Sequence, residues 1–79
     1  MKTELELFAE MTTKQGGEWW LLERNEKYSL WLCKMKHMIN NYVYYDQPVY
    51  EIFDDREKRV LATTSRVKAY NIYNSLTNN

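Results

Sequence analysis

The stretch that most constrains the fold runs from residue 48 to residue 76, with the sequence PVYEIFDDREKRVLATTSRVKAYNIYNSL. Residues 49–54 and 59–63 have strand composition, and the polar residues 55–58 lie between them as a turn. Counting outward from that turn predicts three cross-strand pairs: Asp54 with Arg59, Phe53 with Val60, and Ile52 with Leu61. Opposite charges flanking the turn would favour this register by a few tenths of a kcal/mol. The stretch therefore predicts a β-hairpin.

A helix is predicted to follow this hairpin directly, over residues 66–76. Three hydroxyl side chains, Thr63, Thr64 and Ser65, offer N-caps at its start. Its apolar positions recur at helical spacing: Ala69, Ile72, Tyr73 and Leu76, with Val67 and Tyr70 beside them. The spacing predicts a helix that packs one side on the hairpin.

A second helix is predicted near the N-terminus, over residues 4–14. Thr3 and Glu6 match the capping-box pattern, in which hydroxyl and carboxylate bind each other's backbone N–H groups. Leu5, Phe8, Ala9 and Thr12 recur at helical spacing, with Leu7 and Met11 widening the stripe, and the glycines at 16 and 17 supply the end. A strand is the competing interpretation, because Leu5 and Leu7 alternate with glutamates.

Residues 18–34, EWWLLERNEKYSLWLCK, are predicted to form an aromatic hairpin turning at residues 24–27. Counting from that turn pairs Leu21 with Leu30, Trp20 with Trp31, and Trp19 with Leu32. Alternation then places Trp19 on one face of the sheet and both Trp20 and Trp31 on the other. A slip of one residue in the register would change these partners.

Residues 35–47 are the hardest to assign, because they allow either a helical turn or an irregular connection at Met35, Met38 and Ile39. Asn40-Asn41 is turn-like, and residues 42–45 have strand composition. The order of elements predicts an α+β fold: an N-terminal helix, an antiparallel sheet of three or four strands built from two hairpins, and a C-terminal helix packed on the sheet. We expect one domain over residues 1–79, with a frayed tail at 77–79.

The chain has 79 residues, so its core must be dense in large side chains, and three Trp, seven Tyr and two Phe supply them. A single cysteine excludes an internal disulfide and favours a reducing, cytoplasmic compartment. No apolar run is long enough for a membrane-spanning helix or a signal peptide, so no membrane association is expected. The formal net charge of zero argues against both a DNA-mimicking acidic protein and a strongly basic nucleic-acid coat.

Catalytic and metal-binding constellations are not evident in the sequence. His37 is the only histidine, and it has neither a nucleophile nor further metal ligands at a suggestive spacing. Cys33 stands among apolar neighbours and is expected to be a small buried side chain. Phosphate-binding glycine loops, nucleophile elbows and zinc motifs are absent from the sequence. We therefore expect a protein that is not an enzyme and has no cofactor or metal.

A cluster of basic residues near the C-terminus gives the first candidate binding surface: Arg56, Lys58, Arg59, Arg66 and Lys68. A cation at the first turn of a helix, as at Arg66, opposes the helix dipole and invites an anionic partner. Tyrosines at 42, 44, 45 and 50 would add stacking surfaces for unpaired bases. This pattern predicts a small RNA- or DNA-binding domain as the alternative function, although a solvated turn and helix face explains the same residues.

The aromatic side chains give the second candidate surface. If Trp19 enters the core, Trp20 and Trp31 form an outward cross-strand pair, and Tyr44 and Tyr45 are further exposed anchors of the kind that protein interfaces use. Complete burial of these rings under a helix is the competing interpretation. The pattern predicts a non-enzymatic protein-binding module, for which a homodimer is also compatible.

The chain resembles the short α+β proteins that phages and prophages encode, anti-CRISPR inhibitors among them. The resemblance rests on the strand–turn–strand–TTS–helix order of residues 49–76, the capped charged N-terminal helix and the aromatic hairpin between them. It covers most of the chain and carries over no site residues. It implies an inhibitor that blocks a host nuclease, polymerase or defence complex in the host cytoplasm. Because the chain is not strongly acidic, steric blocking is expected in place of DNA mimicry.

Overall fold

The computed structural model describes residues 1–78 and has two helices and five strands in those residues. The elements are α1 (Glu4–Lys14), β1 (Gly17–Arg24), β2 (Tyr28–Ile39), β3 (Tyr42–Tyr45), β4 (Val49–Asp54), β5 (Arg59–Thr63) and α2 (Arg66–Thr77). The strands form an antiparallel sheet in the order β1-β2-β4-β5, and β3 pairs with the far end of β2. The predicted α+β architecture is confirmed, with five strands in place of three or four.

Helix α1 begins and ends where the sequence predicts. The Thr3 hydroxyl accepts a hydrogen bond from the Glu6 backbone N–H at 3.2 Å, and it lies 3.2 Å from the Glu6 carboxylate. Gly16 follows the helix with φ of 87°, a left-handed conformation that glycine adopts without a Cβ penalty. Thr3 also donates to the carboxylate of Glu57 at 2.8 Å, so the start of α1 is fixed to the β4–β5 turn.

The β1–β2 hairpin has a different register from the one predicted. Trp20 lies opposite Leu32 and Leu21 lies opposite Trp31. Two differences from the prediction combine here: the turn lies one residue later, with Arg24 opposite Ser29, and an irregularity between Leu21 and Glu23 adds one residue to β1. Side chains alternate along a strand, so one extra residue exchanges the two faces of everything beyond it. The predicted pairing of Trp20 with Trp31 is therefore wrong.

The two helices cover opposite faces of the sheet. Leu30 and Ile52 are cross-strand partners that pack against Ala69 and Tyr73 of α2, and all four are buried. We call this side the α2 face, and the other side the α1 face.

The α1 face buries aromatic rings beneath α1. The Phe53 ring lies 6.3 Å from the rings of Phe8 and Trp19, measured between centroids. The indole N–H of Trp19 donates to the Thr12 hydroxyl at 2.5 Å. Leu7 and Met11, which were expected to widen the helical stripe, are exposed and lie outside this core.

The β4–β5 hairpin confirms one predicted pair and corrects two. Ile52 lies opposite Leu61 as predicted, whereas Phe53 lies opposite Arg59 because Val60 is the extra residue of a bulge. The predicted pairs of Phe53 with Val60 and of Asp54 with Arg59 are therefore wrong.

Helix α2 begins after Ser65, whose hydroxyl accepts from the Lys68 backbone N–H at 3.1 Å. The predicted stripe is confirmed at Ala69 and Tyr73, which are buried, whereas Val67 is exposed. The tail at residues 77–79 was predicted to fray, but Thr77 is the last residue of the helix and Asn78 is its C-cap. Asn79 lies outside the described residues. No helix among residues 1–78 is long and apolar enough to cross a membrane.

Candidate functional site

Strand β2 continues beyond the body of the sheet and carries β3 with it. The first residue of β1, Gly17, lies opposite Met35 of β2. Strand β2 extends beyond this point to Ile39, and its last residues pair with β3. Residues 36–45 thus form a two-stranded hairpin that projects from the sheet, and we call it the ribbon. The helical turn or irregular connection considered for residues 35–39 is wrong, because they belong to a twelve-residue strand.

The ribbon turns at Asn40 and Asn41, which have φ values of 50° and 68°. Two consecutive left-handed residues are the geometry of the tight hairpin turn whose twist matches that of the strands, and asparagine tolerates it better than most residues. Ile39 and Tyr42 flank the turn as cross-strand partners. The short turn therefore fixes the register of the whole ribbon.

Large apolar side chains are exposed on both faces of the ribbon. Of the thirteen that are exposed among the described residues, the ribbon holds six: Met38, Ile39, Tyr42, Val43, Tyr44 and Tyr45. Tyr42 is 79% exposed and Met38 66%, so these side chains do not belong to the core. A two-stranded hairpin that buries neither face is marginally stable alone, and partner contacts would stabilise it.

The aromatic surface continues from the ribbon onto β1 across the α2 face. The ammonium of Lys34 lies 5.7 Å from the ring centroids of both Trp20 and Tyr45, so one cation bridges two exposed rings. The Tyr45 hydroxyl lies 3.4 Å from the carboxylate of Glu18. These contacts place Trp20 and the base of the ribbon on one continuous surface.

The other face of the ribbon is fixed to its base by a histidine. The His37 ring stacks on Tyr44 with 5.1 Å between centroids, and its Nε2 lies 2.7 Å from the carboxylate of Asp46. Asp46 also donates its backbone N–H to the Met35 carbonyl at 2.9 Å. The His37 ring on β2 therefore contacts both Tyr44 of β3 and Asp46, the residue that follows β3.

Of the four predicted aromatic anchors, Trp20 and Tyr45 share the α2-face surface, Tyr44 lies on the other face of the ribbon, and Trp31 lies elsewhere. Trp20, Tyr44 and Tyr45 are exposed by 40%, 44% and 47% and lie on or beside the ribbon. Trp31 lies on the α1 face instead, where its ring meets Trp19 edge-on at 6.2 Å. Its indole N–H donates to the Ser29 hydroxyl at 2.9 Å, so the structure holds Trp31 within the fold.

The predicted basic cluster is divided between two ends of the sheet. Arg56 and Lys58 lie in the β4–β5 turn, where the Asp54 carboxylate accepts from both backbone N–H groups at 2.9 Å. Arg66 and Lys68 lie at the start of α2, beyond the other end of β5. A strand of five residues separates the two groups by roughly 16 Å. They do not form one continuous patch.

Arg59 has a structural environment of its own. Its guanidinium lies 3.2 Å from the carboxylate of Glu51 and 4.6 Å from the Phe8 ring centroid, on the α1 face. Burial raises the pKa of Glu51, and the hydrogen bond and positive charge of Arg59 oppose that rise. The positive charge of Arg59 therefore partly compensates the buried negative charge of Glu51.

Four ribbon residues were not among the predicted anchors: Met38, Ile39, Tyr42 and Val43. Two turn-forming asparagines between short apolar runs are a hairpin signal, and they would have identified these residues.

No group of three or more His, Cys, Asp or Glu within residues 1–78 is arranged to hold a metal ion. Comparisons with protein-family models, curated proteins and solved structures found no match.

Proposed function

We propose that this chain is a non-enzymatic module that binds a protein partner through the ribbon and the adjoining Trp20. The observation that carries the proposal is the concentration of exposed apolar side chains on the ribbon, where six of thirteen lie within ten residues. Contiguous apolar surface of this kind is typical of protein interaction sites. Tyrosine and tryptophan anchors contribute most to such interfaces, because each buries a large area.

The biological setting that we propose is inhibition of a host nucleic-acid enzyme or defence complex by a phage-type protein. The support is the resemblance in element order and composition, together with a projecting element suited to steric blocking. A hairpin that extends beyond the sheet can enter a cleft of a larger protein. The contacts of His37 and Asp46 at the base of the ribbon reduce the ordering entropy that binding would cost.

Nucleic-acid binding through the basic turn and helix has less support. Its five cations are distributed over two ends of β5, and one of them, Arg59, is paired with Glu51. Binding that depends on phosphate contacts weakens steeply with salt, in proportion to the number of phosphates neutralised. That dependence separates the two functions experimentally.

The test is capture of protein from a nuclease-treated bacterial lysate by the immobilised chain. The ribbon variant Tyr42→Ser/Tyr45→Ser is compared with the control Val60→Ser/Val67→Ser, which removes exposed apolar side chains elsewhere. We expect the wild type and the control to retain the same protein and the ribbon variant to lose it. Equal retention by both variants, or retention that disappears after nuclease treatment, would contradict the proposal. Circular dichroism of each variant checks that it is folded.

A further inference from the structure

The outer edge of β3 has no strand beside it among residues 1–78, since β3 pairs only with β2. At the base of the ribbon the Asp46 N–H donates to the Met35 carbonyl, so this cross-strand pair is hydrogen-bonded. Hydrogen-bonded and non-hydrogen-bonded pairs alternate along an antiparallel ladder, which makes Tyr45 and Val43 members of pairs of the second kind. Val43 and Tyr45 therefore direct their N–H and C=O groups away from β2, to the outer edge.

Three strands, β1, β3 and β5, leave an outer edge unpaired in the described part of the chain. Natural proteins protect such edges from further strands by charged side chains, prolines and bulges. β1 carries two glutamates and an irregularity beside Leu22, and β5 carries Arg59 and the bulge at Val60. β3, with the sequence YVYY, has no charge, no proline and no bulge. It is therefore the edge least protected against association with another strand.

Two copies of β3 complement each other when they lie antiparallel with Tyr44 opposite Tyr44 of the second copy. In this register Val43 lies opposite Tyr45 of the second copy, so all the outward N–H and C=O groups of these two residues find partners. Tyr42 lies opposite Asp46 of the second copy, and no two like charges are placed directly opposite one another. The edge is therefore complementary to itself in both backbone hydrogen bonding and charge.

The side chains and the shape of the molecule favour the same arrangement. The His37 ring stacks on Tyr44 with 5.1 Å between centroids, and pairing would add the Tyr44 ring of the second copy to this row. Because each ribbon projects from its own sheet, antiparallel pairing leaves the rest of the two chains at opposite ends of the joined ribbons. The surface around Trp20 lies on the α2 face and stays accessible.

We infer that the outer edge of β3 binds a second copy of this chain, which forms a dimer with twofold symmetry through antiparallel strands. Such an interface uses the same patch on both copies. The inference goes beyond the proposed function, because it concerns the association of the chain with itself. Each strand contributes only the residues Tyr42–Tyr45, so the interface is small and the association depends on concentration.

Sedimentation equilibrium over a wide range of protein concentration measures this association. Val43→Pro removes an N–H from the outer edge of β3. Met38→Pro is the matched control, because Met38 lies opposite Val43 and directs its N–H to the other edge of the ribbon. We expect the dissociation constant of the dimer to rise about tenfold or more in Val43→Pro and to change less than about twofold in Met38→Pro. Circular dichroism checks that both variants are folded.

Disulfide trapping tests the register without introducing proline. In Tyr44→Cys the two introduced residues have Cα atoms about 4.5 Å apart across the dimer, which a disulfide can bridge. In the control Tyr42→Cys they lie roughly 13 Å apart along the strands, which it cannot bridge. Tyr42 is the more exposed position, at 79% against 44%, so random collision would favour the control. The native Cys33 is buried, and the wild-type chain measures its contribution.

We expect mild oxidation to cross-link Tyr44→Cys and to leave Tyr42→Cys largely monomeric. A chain that stays monomeric at every concentration, equal effects of the two proline variants on folded protein, or equal trapping of the two cysteine variants would overturn the inference. A monomeric chain that still captures protein from lysate through the ribbon refutes the dimer alone. A dimer that captures no protein refutes the proposed function alone.

Discussion

Replacing Arg59 by Met removes the only cation that contacts a buried carboxylate in the described part of the chain. The guanidinium lies 3.2 Å from Glu51, whose side chain is 8% exposed, and 4.6 Å from the Phe8 ring. Methionine keeps much of the apolar stem and loses the charge. The variant therefore leaves Glu51 with a desolvated negative charge and no counter-charge beneath α1.

The magnitude follows from the burial of the two partners. Breaking a fully buried ion pair costs about 3–5 kcal/mol, because the remaining charge is uncompensated. The Arg59 side chain is 41% exposed, so water reaches one side of the pair and weakens it. We therefore expect Arg59→Met to lower the free energy of unfolding by about 2–3 kcal/mol at neutral pH.

The loss should depend on pH in a defined direction. Burial raises the pKa of Glu51 above its ordinary value of 4.5, and Arg59 opposes this rise, so the pKa rises further in Arg59→Met. A carboxyl group with a raised pKa binds its proton more readily in the folded state. Its favourable contribution is complete below pH 4.5 and is lost as the pH rises through the folded-state pKa. The deficit of the variant should be smaller at pH 5 than at pH 7.5.

Urea unfolding followed by tryptophan fluorescence at pH 5 and pH 7.5 measures this effect, with Arg56→Met as a control for loss of an exposed cation. The double variant Glu51→Gln/Arg59→Met should recover part of the loss, because it removes the uncompensated charge. A deficit that is equal at both pH values, without recovery in the double variant, would refute the reasoning. If the free energy of unfolding of Arg59→Met equals that of the wild type, Arg59 is not needed for stability and stays a candidate residue for partner contact.

Two further predictions concern the turn of the ribbon and the buried thiol. Asn41→Gly should raise the free energy of unfolding by up to about 1 kcal/mol, because φ of 68° at this position favours glycine, and urea unfolding measures the gain. Cys33 should react with a thiol reagent at pH 8 far more slowly in the folded chain than in urea, because burial raises its pKa and leaves the residue 5% exposed. Equal rates with and without urea would show that the thiol is accessible in the folded chain.

The positions of the helices were predictable because their signals are local. Thr3 and Glu6 define the start of α1, and the hydroxyls before Arg66 define the start of α2. Each signal depends on residues within one turn of the helix. Strands β4 and β5 were equally clear, because residues 49–54 and 59–63 lie on either side of a polar turn.

Most of the predicted cross-strand partners were wrong, because the β1–β2 and β4–β5 hairpins each contain one extra residue and the β1–β2 turn lies one residue later than predicted. The irregularity at Leu22 moves Trp31 to the face that Trp19 occupies, and the bulge at Val60 moves Arg59 opposite Phe53. Counting outward from a turn assumes a regular ladder, and a single bulge exchanges the faces beyond it. Both errors affected candidate site residues: Trp31 became part of the α1 face, and Arg59 became the partner of Glu51.

The sequence indicated the turn at Asn40-Asn41 and a strand at residues 42–45, but residues 35–39 were not recognised as a strand, for a different physical reason. Strands are recognised by apolar and polar residues in alternation, which reflects one buried and one solvated face. Residues 38 and 39 are both apolar, as are 42 to 45, and the structure exposes both faces. A strand pair with both faces exposed gives no such alternation.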